Sequence, residues 1–224
     1  MTFVEFAKWG ATELSRHALE YGDPLQHMQL LIEEVTGKSR DYFLAHSHEP
    51  VDPKVLEELS KVLKRRLQGE PLQYIVGRAW FWKHAFQVGP GVLIPRKETE
   101  HIVEFLLSRN QDAEVVVAEL GSGSGNLPIS ILVERPQWVW HGFEKNPASV
   151  PFLEMNLEKY GHLFGKNQFI LHEGDFFTGA KKLKNLDYVV ANPPYIPSSE
   201  ISNLSKEVQC EPRLALDGGE SDVS

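Results

Sequence analysis

Four consecutive residues, Asn192-Pro193-Pro194-Tyr195, carry the most chemistry in this chain. They follow an apolar run, Leu186 to Ala191, that reads as a buried strand. A strand ending this way sets an amide, two proline carbonyls and an aromatic ring at one sheet edge. Proline has a fixed φ and no N–H, so the turn is stiff and its carbonyls are free to face a ligand. The Asn192 side-chain oxygen and the Pro193 carbonyl can accept both hydrogens of an NH2 group, while the Tyr195 ring covers its plane. Such a turn is a receptor for a flat nitrogen substrate. A plain proline turn after a strand has the same local sequence, so the reading depends on what lies upstream.

Upstream, the β-branched run Val115-Val116-Val117 leads through Glu119 into Gly121-Ser122-Gly123-Ser124-Gly125, and an apolar helical segment, Leu127 to Glu134, follows. Glycines let the backbone approach a ligand closely, and a helix N-terminus favours a negative group. A dinucleotide fingerprint would place its third glycine at position 126, which here is Asn126. Glu119 precedes the first glycine by two positions. A carboxylate there suits a cationic group and repels a pyrophosphate, so Glu119 and the loop Gly121 to Gly125 point to S-adenosylmethionine rather than NAD. The next strand candidate, Trp138 to Phe143, ends in Glu144, 23 residues past Gly121. In nucleoside-binding α/β folds an acid at that position bonds ribose hydroxyls. A third strand candidate, Gln168 to Leu171, leads to Asp175 and Phe176, an acid for an adenine amino group and a ring to flank the base. Phe177 reads as core packing.

These groups need a scaffold, and the chain divides plainly. Residues 1–76 place apolar groups at helical spacing (Leu30, Leu31, Val35; Leu59, Val62, Leu63, Leu67), with helix starts at Asp23-Pro24 and Asp52-Pro53 and stops at Gly37 and Gly69. They predict a helical bundle. Residues 77–97 read as a β-hairpin linker around a Gly-Pro-Gly turn at 89–91, and Trp80, Phe81 and Trp82 as buried packing between the two domains in preference to a stacking platform. A helix from Thr99 to Arg109 opens residues 98–224. From Ala113 onward strands alternate with helices, the pattern of a parallel sheet in an α/β fold.

Composition narrows the function. Of 224 residues 42% are hydrophobic, with a formal net charge of −8. That charge argues against general nucleic-acid affinity. The basic run Lys61 to Arg66 reads as a solvated helix face. No apolar run approaches the roughly 20 residues of a membrane span, and no metal-ligand spacing appears. The single cysteine, Cys210, forbids an internal disulfide, reads as a small structural residue and suits a cytoplasmic protein.

Taken in order, these stretches resemble the class I S-adenosylmethionine-dependent methyltransferases, and more narrowly the HemK-type protein-glutamine N5-methyltransferases that act on peptide-chain release factors. Three further segments carry the resemblance: Glu70 to Gly77, Val92 to Glu100 and Glu211 to Gly219. The chain departs at Lys97, where the family usually has proline, and at Glu119 and Glu144, where Asp is more frequent. The resemblance implies a Rossmann-like domain over 98–224, a release-factor-docking role for 1–76, and a Gly-Gly-Gln glutamine as substrate. It puts Asn192 to Tyr195 at the reacting amide, with Asn192 also beside the cofactor. Arg96 lies near the active site in the family; structurally it could pair with Glu98 or Glu100. Asn-Pro-Pro-Tyr also occurs in adenine-N6 methyltransferases, since adenine too offers a planar NH2, but those enzymes grip nucleic acid and extrude a base.

The family's sheet has seven strands in the order 3-2-1-4-5-7-6, and four are legible here. The match stops after Gly219. Strand 4 would then be an open edge, and the alternative reading is a chain that binds a release factor without transferring a methyl group. The open edge predicts a marginally stable, aggregation-prone chain. A soluble monomer with a cooperative, high-temperature melt would contradict that expectation.

Overall fold

A computed structural model describes residues 1–16, 22–109, 114–165 and 167–220. Ala113 and the tail from Ser221, both used in the reading above, lie outside them. The chain forms two compact units: residues 1–76 with 205–210, and residues 77–204 with 211–224.

The first unit is helical. It contains α1 (Phe3–Arg16), α2 (Pro24–Thr36), α3 (Arg40–Ala45), α4 (Pro53–Leu67), α5 (Leu72–Ile75) and the short helix Lys206–Gln209. The predicted caps form: Asp23 accepts from the Leu25 N–H and Asp52 from the Lys54 N–H, each before a proline at the first helical positions. Gly37 closes α2 at φ 65. The apolar faces meet in a core of Phe6, Leu14, Met28, Leu31, Leu59 and Leu63.

The basic run on α4 is not uniformly solvated, contrary to expectation. Lys61 and Arg65 form exposed pairs with Glu57, Glu58 and Glu70, but Arg66 has no accessible surface. It lies on the buried stripe with Leu59 and Leu63, so helical period sends it inward. Its charge is met by Glu207 at 2.5 Å, and it also donates to the Glu70 carbonyl. Cys210, exposed, sets its Sγ 3.7 Å from the Gly69 carbonyl.

The second unit opens with a hairpin, β1 (Arg78–Phe81) and β2 (His84–Gln87). Its turn is Trp82-Lys83, not 89–91. Trp82 adopts φ 54, a conformation usually left to glycine or asparagine, so the sequence carries no turn signal there. Its N–H donates to Glu100. Strand alternation buries Phe81 and turns Trp80 outward, 73% exposed, against the expectation of a buried cluster. The hairpin is pinned to α8 (Val150–Tyr160) through Asn156, which exchanges hydrogen bonds with the Gln87 backbone.

After a 3-10 turn, Lys97–Thr99, come α6 (Glu100–Leu107), β3 (Val116–Leu120), α7 (Asn126–Glu134), β4 (Val139–Glu144), α8, β5 (Phe169–Glu173), α9 (Phe176–Gly179) and β6 (Tyr188–Ala191). The parallel sheet has the order β5-β4-β3-β6. The chain therefore winds one way from β3 to β5 and returns to the other side of β3 at β6. That reversal opens a crevice at the carboxyl ends of β3 and β6. Val117, Ile129, Leu132, Trp138 and Trp140 form the core. The strand β6 is at the end of this order and is not buried as expected: Val189 is 60% exposed. Among the described residues no helix is long and apolar enough to cross a membrane.

Removing one partner of a buried ion pair leaves an uncompensated charge, at a cost of about 3–5 kcal/mol. Arg66→Met and Glu207→Gln should each destabilise the helical unit by that order, read as a lower urea midpoint. Midpoints equal to wild type would show the pair to be dispensable.

Candidate active site

A cavity of about 340 Å³ opens at the carboxyl ends of β3, β4 and β6, within the second unit. That size suits a small organic ligand. Its floor is the loop after β3. Gly121, Gly123 and Gly125 all have positive φ (76, 55 and 78). A side chain at Gly123 would meet no atom within 4 Å, so its requirement for glycine is the backbone conformation alone.

The loop is not an anion nest. The N–H groups of Gly121 and Ser122 donate to the Phe143 carbonyl, that of Gly125 to the Ser122 carbonyl, and that of Gly123 to Glu144. Two buried carboxylates line the cavity instead. Glu144 accepts from the N–H groups of Gly123 and Asn146, both at 2.7 Å. Glu119 uses Oε2 for the Ser122 hydroxyl at 2.7 Å and the Trp140 indole N–H at 3.0 Å. The opposing residue on β4, Gly142, leaves room for Ser122: a Cβ there would lie 2.5 Å from its hydroxyl. Burial pushes the Glu119 carboxyl up to about 7, against the lowering pull of Ser122 and Trp140. A cavity walled by Glu119 and Glu144 favours cations and hydroxyl groups and repels phosphates.

Asp175 accepts from the Thr178 N–H and pairs with Lys145 at 3.5 Å. Phe176 packs edge-on to Phe143, ring centroids 5.1 Å apart. Phe177 lines the cavity and is 70% exposed, which corrects its assignment to the core. The helix carrying it is four residues long, too short to bury both rings.

The opposite wall is Asn192, Pro193 and Pro194, together with Arg96 and Thr99. Asn192 donates from Nδ2 to the Thr99 hydroxyl at 3.1 Å. Arg96 pairs with Glu211 at 2.5 Å rather than with Glu98 or Glu100, and the other Glu211 oxygen accepts the Ile94 N–H. Beyond the turn, β7 (Ile196–Pro197) lies beside β8 (Asp217–Gly219). Gly218 approaches so closely that a Cβ would sit 2.9 Å from the Pro194 carbonyl oxygen and 3.0 Å from Tyr195 Cα.

Two family models match this chain, "PrmC N-terminal domain" over residues 5–77 and "Methyltransferase small domain" over residues 90–218. Curated relatives match across nearly its whole length. The release factor glutamine methyltransferase of Coxiella burnetii is 34% identical over 206 residues, 90% of this chain and 70% of that protein. The Moorella thermoacetica enzyme of the same name is 36% identical over 197 residues, 88% and 68%. The Escherichia coli one is 32% identical over 224 residues, 98% and 78%. The chain belongs to the release factor glutamine methyltransferase family.

Within this family member, the cavity brings together Glu119, Gly121, Ser122, Gly123, Ser124, Glu144, Asp175, Phe176, Asn192, Pro193, Pro194 and Arg96. It does not include Gly125 or Tyr195. Gly125 packs behind the loop, where a Cβ would come within 2.4 Å of Leu153. Tyr195 is 76% exposed. Sequence reasoning missed Thr99, Trp140, Lys145 and Glu211. Only Lys145 had a local signal, its place directly after Glu144; the others act across the fold. No cluster of His, Cys, Asp and Glu suited to a metal ion occurs among the described residues.

The unfolded Glu119 carboxyl titrates near 4.5, so between pH 4.5 and 7 the folded chain holds a proton that the unfolded chain lacks. Stability from this group is full below the lower value and is lost as pH rises through the upper one. Glu119→Gln should therefore remove a fall on the order of 3 kcal/mol between pH 5 and 8, measured by urea unfolding across that range. A slope unchanged by the substitution would contradict the burial argument. Gly218→Val should displace the Pro194–Tyr195 backbone and shift those backbone amide resonances. Unchanged resonances would show that the contact gives way elsewhere.

Proposed function

We propose that this chain transfers a methyl group from S-adenosylmethionine to the side-chain N5 of a glutamine in a peptide-chain release factor. The observation that carries the reading is a cavity with two buried carboxylates, Glu119 and Glu144, on one wall and Asn192 and Pro193 on the other. The family membership supports it independently. The cavity chemistry fits S-adenosylmethionine: Glu119 suits a cationic amino group, Glu144 ribose hydroxyls, and Asp175 with Phe176 an adenine. When bound, this cofactor supplies a methyl group on a positively charged sulfur that is also its own leaving group.

The rest falls to the chain's residues. An amide nitrogen is a poor nucleophile, because its lone pair is delocalised into the carbonyl. Asn192 Oδ1 and the Pro193 carbonyl accept its two hydrogens and fix the nitrogen in one place, so positioning does most of the work. The same oxygens stabilise positive charge as it develops on nitrogen. One proton must leave as the methyl group arrives, and it departs from this pair of acceptors to solvent. Two acceptors side by side welcome an NH2 and repel a carboxylate, which separates glutamine from glutamate. Residues 1–76 would dock the release factor.

Calorimetric titration with S-adenosylhomocysteine tests the cofactor. Wild type should bind saturably, and Gly123→Asp, which forces a side chain into positive φ beside Glu144, should not. With release factor as substrate, Asn192→Ala should lower kcat about 100-fold or more. A folded chain that binds no S-adenosylhomocysteine, or an Asn192→Ala variant as active as wild type, would overturn the reading.

A further inference from the structure

We infer that Thr99 is a positioning residue that holds the Asn192 side chain where its Oδ1 meets the substrate; this rests on the reading of Asn192 above. The Asn192 amide has two ends of opposite character. Only Oδ1 can accept from an incoming NH2 group. If Nδ2 faced it instead, donors would meet donors and the substrate nitrogen would lose a partner. The Thr99 hydroxyl accepts from Nδ2. That bond ties Nδ2 and leaves Oδ1 for the cavity; because a hydroxyl can also donate, Thr99 fixes where the amide sits, and the substrate NH2 group selects the Oδ1 end. No other side-chain hydrogen bond of Asn192 occurs among the described residues, so Thr99 is the hydrogen-bond anchor of this amide there.

Thr99 is built for the task. It lines the same cavity as Asn192 yet is 7% exposed. Its β-branched side chain has few rotamers. Its backbone is held on both sides. Before it, Glu211 grips the Ile94 N–H and the Arg96 guanidinium, and the Thr99 N–H closes a turn on the Arg96 carbonyl at 3.1 Å. After it, Glu100 accepts the Trp82 N–H at 2.8 Å. The hydroxyl thus sits on a fixed segment rather than a free loop, as a group that orients a catalytic amide should.

The test combines nitrogen-15 NMR of side-chain amides with methylation kinetics on the full chain. The Asn192 pair is identified by its loss in Asn192→Asp. Thr99→Val keeps the shape and removes the acceptor. It should speed hydrogen exchange of the Asn192 pair about tenfold, the scale of one lost hydrogen bond. It should also lower kcat about tenfold or more with KM for the release factor little changed. Thr99→Ser, which restores the hydroxyl, should recover slow exchange and most of kcat. Wild-type exchange in Thr99→Val overturns the inference, as does equal loss in the Val and Ser variants, which would mark a packing role. If wild type methylates no release factor, the functional reading falls, and the exchange rates still decide whether Thr99 holds Asn192.

Discussion

A carboxylate cannot be buried in the middle of a sheet without partners, and Glu119 sets the terms for everything around it. It stands on the central strand β3, where Trp140 from β4 and Ser122 from the glycine loop both donate to one of its oxygens. That arrangement explains the loop's shape: Ser122 must fold back over the strand end, and Gly142 must be glycine for its hydroxyl to fit. It also explains the cavity's chemistry. Glu144, at the end of the next strand, holds the Gly123 N–H that an anion would otherwise take. With the loop's donors turned inward and two acids facing the cavity, the same glycine-rich topology that elsewhere cradles phosphate becomes a receptor for cations and hydroxyls.

The acceptor wall is made differently. Proline stiffens Pro193-Pro194, but stiffness alone does not say where the turn points. Three contacts from distant parts of the chain fix it: the Thr99 hydroxyl on Asn192, the backbone of β8 beside β7, and Gly218 against the Pro194 carbonyl. Glu211 contributes one step removed, by gripping Ile94 and Arg96 and so holding the segment that carries Thr99. The residues just before it, Ser205–Cys210, belong to the helical unit, where Glu207 neutralises the buried Arg66. Two carboxylates in the stretch that follows the Asn-Pro-Pro-Tyr turn, Glu207 and Glu211, are thus each paired with an arginine.

Much of the fold was legible because its signals are local. Asp23 and Asp52 cap their helices from within two residues, Gly37 ends α2 through its own φ, and the apolar runs of β3, β4 and β5 alternate with helical stretches as a parallel sheet requires. The misplaced features had local signals that pointed elsewhere. Gly89-Pro90-Gly91 looks like a hairpin turn, yet the chain turns at Trp82, where Glu100 holds a backbone that no turn residue advertises. Arg66 reads as one more solvated base until Glu207 appears beside it from 141 residues away. Phe177 and Trp80 are large and apolar, which suggests burial, but a four-residue helix and strand alternation turn them outward.

The sequence by itself determined the kinds of group available: acids at two strand ends, a glycine loop between them, and an amide followed by two prolines after the fourth strand. It did so because each depends on its own few neighbours. Only the tertiary structure decided which way those groups face. Thr99 and Asn192, separated by 93 positions, and Glu119 and Trp140, separated by 21, close into hydrogen bonds through sheet order and helix packing. Orientation of a side chain is fixed by whatever arrives at its other end, and no local pattern specifies that partner.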